Sequence, residues 1–361
     1  MHHSLPAQES PMTRLKSLLA AASFSLLSST AIANDTPSFR VAWTIYAGSM
    51  PLGYAEETGI LDKWGDKYGI DVSAVQLNDY IEAQNQYTAG EFDAVIAITL
   101  DAMTIPAASG VDSTVAVLLN ASNGSDGLVV KGTGKTVADL RGQSINLVEF
   151  SGSHYLLARA LSEAGMSERD VTVVNTSDAD IIAAFQASES QAVVTWKPQL
   201  SEIVAQNPNT TVPFDSADIP NEITDALLIH TETLAAHPEL GKALAGAWYE
   251  VISMLQPGHP KRDEVIADMA EAVGTDREGF LKQMSTLNFF SADDAAALVA
   301  SDEFAGILKN ISQFAWDKGL LGPSASSADF VGIEFANGSV QGAKDNVNLR
   351  FPTTYMTGAA Q

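Results

Sequence analysis

Several side chains stand where predicted strands give way to loops or helices: Trp43, Tyr46, Asp79, Tyr80, Asp101, Glu149, His154, Tyr155, Trp196 and Asp225. Carboxylates and aromatic rings dominate this set, and arginine is absent from it. Such groups suit a small cation or a neutral molecule rich in N–H donors, because a carboxylate about 4 Å from a cation contributes about 4 kcal/mol at an effective dielectric of 20. Aromatic faces add roughly 0.5 to 2 kcal/mol for a stacked cation. An anion site would instead present Arg, Lys or a free helix N-terminus. The junction Ser151-Gly152-Ser153 offers backbone donors of that kind, but Glu149 just upstream opposes an anion.

Each of these residues also has a purely structural role open to it. Asp79 and Asp101 stand where helices begin and can serve as N-caps. Trp43 and Trp196 can pack between layers. Tyr46 can cover a cleft rim, and Asp225 can be scaffolding. Glu149 follows a buried strand at a position where caps favour Ser or Thr, which points to function. Metal and nucleophile readings are weaker. The histidines beyond the N-terminal segment, His154, His230, His237 and His259, show no His-x-His or His-Glu-x-x-His spacing. Asp178-Ala179-Asp180 and Asp293-Asp294 head apolar helices and read as capping sequences. Phosphate-binding glycine loops and the Gly-x-Ser-x-Gly elbow are absent. No cofactor or metal is expected.

The chain of 361 residues carries 20 basic and 44 acidic side chains, a net charge of −24. That balance argues against a nucleic-acid partner, which requires a basic surface. It has no cysteine, hence no disulfide, thiolate ligand, cysteine nucleophile or lipid-bearing cysteine. Arg14 and Lys16 precede the apolar stretch from Leu18 to Leu27, and Ala31-Ile32-Ala33 follows. This pattern predicts a secretory signal peptide over residues 1–33, too short to span a bilayer. The expected mature protein is periplasmic and monomeric.

Beyond it the pattern alternates. Strands are expected at 39–44, 70–77, 93–99, 115–119, 127–131, 144–148, 171–175 and 191–195, with helices between them and short strands over 330–351. A helix is read over 51–68, and the stretch 237–318 is almost wholly helical. Strand–helix alternation with short loops predicts an α/β fold of two mainly parallel sheets flanked by helices, with a helical C-terminal region.

The middle of the chain carries a resemblance. Asp126-Gly127-Leu128-Val129-Val130-Lys131 is followed by Val137-Ala138-Asp139-Leu140-Arg141-Gly142-Gln143, then Ser151-Gly152-Ser153-His154-Tyr155 and Val193-Val194-Thr195-Trp196-Lys197-Pro198. This order resembles the periplasmic substrate-binding proteins of nitrate/sulfonate/taurine-type ABC importers. Asn78-Asp79-Tyr80-Ile81-Glu82 and Val174-Asn175-Thr176-Ser177-Asp178 are similar to the branch encoded near urea carboxylase. Lys197 departs from the Trp-Glu-Pro usual in the wider family.

The resemblance implies a bilobal type II periplasmic-binding-protein fold. Residues 34–127 plus 229–361 would form one lobe and 128–228 the other, with a hinge near 127–131 and 225–230. Ligand would sit between the lobes, contacted by Trp43, Tyr46, Asp79, Asp101, Glu149, Ser151, His154, Trp196 and Asp225, and would pass to an importer permease. Together with the acidic, aromatic strand ends, this favours guanidinium as ligand, with urea next. A periplasmic sensor is the alternative. An enzyme on the same fold, related to pyrimidine-precursor synthases, fits less well, since those use a cysteine-rich stretch.

Overall fold

The computed structural model describes residues 36–187 and 189–359. The expected signal peptide, residues 1–33, lies outside them. The strands are β1 (Ser38–Thr44), β2 (Asp71–Leu77), β3 (Ala94–Ile98), β4 (Ser113–Ser122), β5 (Asp126–Lys131), β6 (Ser144–Leu147), β7 (Thr172–Asn175), β8 (Ala192–Trp196), β9 (Thr210–Asp215), β10 (Thr224–His230), β11 (Leu287–Phe289), β12 (Gly332–Phe335), β13 (Val340–Gln341) and β14 (Val347–Phe351). They build two sheets. The larger runs β13-β12-β14-β4-β10-β3-β1-β2 with β11 added to β4, and the smaller runs β7-β6-β8-β5-β9.

The α/β class is as expected, but both sheets are mixed. Parallel ladders join β1 to β2 and β3, and β6 to β7 and β8. The strands entered after a crossing run against their neighbours: β5 is antiparallel to β8 and β9, and β10 to β3 and β4. The chain leaves the large sheet through residues 123–125 and returns through 216–223. The stretches 127–131 and 225–230 are thus parts of β5 and β10 themselves.

Sequence explains these layers directly. The run Ala94-Val95-Ile96-Ala97-Ile98 is apolar throughout because β3 is covered on both faces, and every residue of β4 is buried for the same reason. One face of the large sheet is covered by helices Met50–Glu57, Ile60–Tyr68 and Pro238–Met254. The first two were expected as one helix; the chain breaks at Gly59, whose φ of 71° is left-handed. Gly246 lets Trp64 lie flat on the long helix, since a Cβ there would stand 2.3 Å from the ring. The Trp64 indole then donates to Glu250 Oε2 at 2.6 Å. The opposite face meets helix Asp302–Asp317 and the second sheet in one continuous core.

Candidate functional site

A cavity opens where the two sheets face each other. From the large sheet come Thr44, Ile96 and Ile98, the loop residues Tyr46 and Ser49, and Tyr80, Asp101 and Asp225. From the smaller sheet come Asp126, Ser151, Gly152 and Trp196, with Ile223 on the return crossing. Its water-accessible volume is about 50 Å³. One water needs roughly 10 to 15 Å³ by that measure, so the space admits only a small molecule.

Three carboxylates line it. Asp101 stands in the first turn after β3, fully buried. Tyr80 organises it: the phenol accepts the Ile98 N–H at 3.1 Å and donates to Asp101 Oδ2 at 2.8 Å. Asp101 Oδ1 has no partner. Asp225 lies beside it, in register with Ile98 on β3 and with Asn120 on β4. Asp126 opens β5 opposite Trp196 on β8. Its Oδ2 accepts the Ser122 hydroxyl at 2.5 Å, and the Ser122 and Ser216 hydroxyls are 2.6 Å apart, which ties the two crossings together.

Burial raises all three acids. Asp101 is pushed up to about 7 by desolvation against the opposing Tyr80 hydrogen bond. Asp225 rises to about 8 through burial and the neighbouring Asp126 charge. Asp126 rises to about 6, burial outweighing the Ser122 bond and the Lys197 charge. No Lys, Arg or His among the described residues lines the cavity. Nor does any group of three His, Cys, Asp or Glu among them come together closely enough to hold a metal ion.

Aromatic rings complete the walls. Tyr80 and Trp196, one from each sheet's side, approach with centroids 6.0 Å apart and planes inclined by 59°. Burial and the Asp126 and Asp225 charges keep the Tyr46 phenol protonated. Ser151 caps helix Gly152–Glu163, accepting the Ser153 N–H at 3.2 Å and donating to Val148 O at 2.8 Å. At Gly152 a Cβ would sit 2.9 Å from Ile98 Cδ1, across the gap between the sheets. Gly152→Ala should therefore fill the cavity wall and weaken ligand about tenfold, with little change in melting temperature because Ile98 can shift; titration calorimetry and thermal melts of this variant check both.

The structure thus brings together Tyr46, Asp101, Ser151, Trp196 and Asp225 of the expected set. It places the other four elsewhere. Trp43 points to the opposite face of β1 from Thr44, with its ring over Gly53. Asp79 caps helix Tyr80–Thr88, accepting the Glu82 N–H at 2.8 Å. Glu149 is held by its backbone N–H on Asn175 Oδ1 at 3.0 Å and does not line the cavity. His154 accepts the Phe150 N–H at 3.1 Å through Nδ1, and its Nε2 meets Glu168 Oε1 at 3.1 Å. That carboxylate also pairs with Lys318, below helix Asp302–Asp317. Asp126, Thr44 and Ser49 were missed. Asp126 had a legible signal, an acid opening the otherwise apolar run Gly127–Val130.

Comparison with known proteins agrees with this architecture. Residues 128–250 match the family described as NMT1/THI5 like. A chain named as a binding protein in Brucella abortus is 29% identical over 237 residues, 64% of this chain and 71% of that one. The taurine-binding periplasmic protein of Escherichia coli is 27% identical over 143 residues, 40% of this chain and 45% of its own. The alkanesulfonate-binding protein of Xanthomonas axonopodis bound to MOPS superposes with a TM-score of 0.65 at 19% identity, covering 81% of this chain and 97% of that one. A desulfurization enzyme shares the fold more distantly, at a TM-score of 0.53 and 15% identity over 78% of this chain and 93% of its own. The relatives by sequence are named as binding proteins, and the chain has the fold of the periplasmic solute-binding proteins.

Proposed function

We propose that the protein is the periplasmic solute-binding component of an ABC importer and captures a small, nitrogen-rich compound, the guanidinium cation ahead of neutral urea. The observation that carries this is the cavity itself: three buried carboxylates, one with an unpartnered oxygen, and no basic side chain among the described residues on its walls. A small oxyanion would meet repulsion there and no counter-charge. Guanidinium has four heavy atoms, N–H donors around its edge and a flat face for Tyr80, Tyr46 or Trp196. The resemblance to the branch encoded near urea carboxylase supports the same choice. In this reading the lobes, 34–127 with 229–361 and 128–228, close on the ligand, and the monomer delivers it to the permease. A sensor would use the same cleft.

One observation favours a second ligand class. Ser151 and Gly152, at the N-terminus of a 12-residue helix, share the cavity with the acids. A zwitterion such as an aminosulfonate would place its anion there and its ammonium on the aspartates.

Calorimetric titration of the mature protein with guanidinium, urea and taurine at matched ionic strength separates these readings. Micromolar guanidinium affinity, about −8 kcal/mol, with much weaker taurine supports the first. Tight taurine alone overturns it in favour of the second. In the same titration Glu149→Gln should stay within about threefold of wild type, because its carboxylate is off the cavity wall.

A further inference from the structure

We propose that ligand capture in this cavity is an exchange: empty, it holds protons shared among Asp101, Asp126 and Asp225, and an entering monocation expels about one of them to solvent. The inference rests on the cation reading above and deepens it, because it makes ligand choice depend on the charge state of the cavity.

The geometry is the starting point. Acids from three separate elements, the turn after β3, the start of β5 and the body of β10, face one small cavity between the sheets. Like charges in a poorly solvated space cannot all ionise without a counter-ion. The described groups around them supply one charge at most, Lys197. Asp101 faces the Tyr80 hydroxyl and the Asp225 carboxyl. Asp225 faces Asn120, Asp126 and Asp101. Asp126 faces Ser122, Lys197 and Asp215. The phenols of Tyr46 and Tyr80 are both held neutral by burial and by the same carboxylates.

Among the described residues Lys197 is the one positive group acting on this set, and it is compromised. It is buried, donates to Thr286 Oγ1 at 2.8 Å and is pushed down to about 8 by desolvation and by Lys282. A single weakened ammonium therefore stands behind three acids. The elevated values of those acids, about 7, 6 and 8, are the expected consequence of this arrangement.

A monocation changes the balance. Its charge stabilises the ionised carboxyls, its N–H donors satisfy Asp101 Oδ1, and each carboxyl that ionises releases its proton to solvent. Affinity for a cation must then rise with pH until the acids are empty. Neutral urea brings no charge and meets less cost in the protonated cavity. Its affinity stays level or falls over the same range. The same side chains therefore rank the two ligands differently in acid and in base.

The test is titration of the mature protein with guanidinium chloride and with urea near pH 5.5 and near pH 8, each in two buffers of different protonation enthalpy. The expected result is guanidinium affinity at least about tenfold higher at the upper pH. About one proton should be released per cation bound, and urea should bind with no release. In parallel, carboxyl NMR of the ligand-free protein labelled at aspartate should show groups titrating above about pH 6, absent in turn from Asp101→Asn and Asp225→Asn. Guanidinium binding with equal affinity at both pH values and no proton release overturns the exchange and leaves the cation reading standing. Failure of guanidinium at both pH values overturns the cation reading and the exchange with it, and the carboxyl titration then reports only whether the empty cavity holds protons.

Discussion

Asp101→Asn should lower guanidinium affinity at least about 30-fold near pH 8, a loss of about 2 kcal/mol or more. Asp101 is fully buried, and one of its oxygens is already committed to Tyr80, which leaves Oδ1 as the acceptor free for a ligand donor. Asparagine has nearly the same shape, so the Tyr80 hydroxyl can still donate to its amide oxygen. The amide nitrogen then faces the cavity, and a donor confronts a donor where an acceptor stood. The charge partner is lost as well. Folding should survive, because the wild-type carboxyl is costly to ionise in this position. Urea should lose less than guanidinium, since it gives up only the hydrogen bond. Calorimetry with both ligands, beside a thermal melt of the variant, measures each part. Wild-type guanidinium affinity in a folded Asp101→Asn protein would remove this residue from the site.

The layers of the fold were legible because hydrophobic patterning reports burial. The uninterrupted apolar run of β3, the apolar stretch within β4 and the almost wholly helical 237–318 all read correctly from period and composition. Direction was not legible. That β5 and β10 run antiparallel to their neighbours depends on which strands meet after a crossing, and no local pattern records it. Within the cavity the limit was one of facing. Trp43 and Thr44 are consecutive residues at the end of β1, and pleating sends them to opposite sides; the larger, more chemical residue drew attention while the threonine lines the cavity. Asp79 and Asp101 looked alike as acids at helix starts. Only the tertiary structure distinguishes a carboxylate that caps its own helix from one that Tyr80 turns into the space between sheets. Asp126 pairs across the sheet with Trp196, a contact between residues far apart in the sequence.

The ligand-free protein should become less stable as pH rises from about 5 to 8, and guanidinium at low millimolar concentration should restore it. Asp101 and Asp225 have folded-state values near 7 and 8, well above the ordinary aspartate value of about 3.9 in the unfolded chain. The folded protein therefore holds more protons. Stability from these groups is complete below the unfolded value and is lost as pH climbs through the folded ones. The loss should be on the order of several kcal/mol, with the coupled Asp126 sharing in it. Glu168 and Glu250 act in the opposite sense: hydrogen bonds and charges from His154 and Lys318, and from Lys63 and Trp64, hold them below their ordinary values, so they cost stability as pH falls through the acid range. Comparing wild type with Asp225→Asn cancels such background groups. The two should melt alike near pH 5, and the variant should be the more stable near pH 8 by about 1 to 3 kcal/mol, since asparagine never has to carry a buried charge. Parallel melting curves across that interval would mean that Asp225 ionises freely in the folded protein. With guanidinium bound, the wild type should recover most of the difference, because the ligand supplies the counter-charge that the walls of the cavity lack.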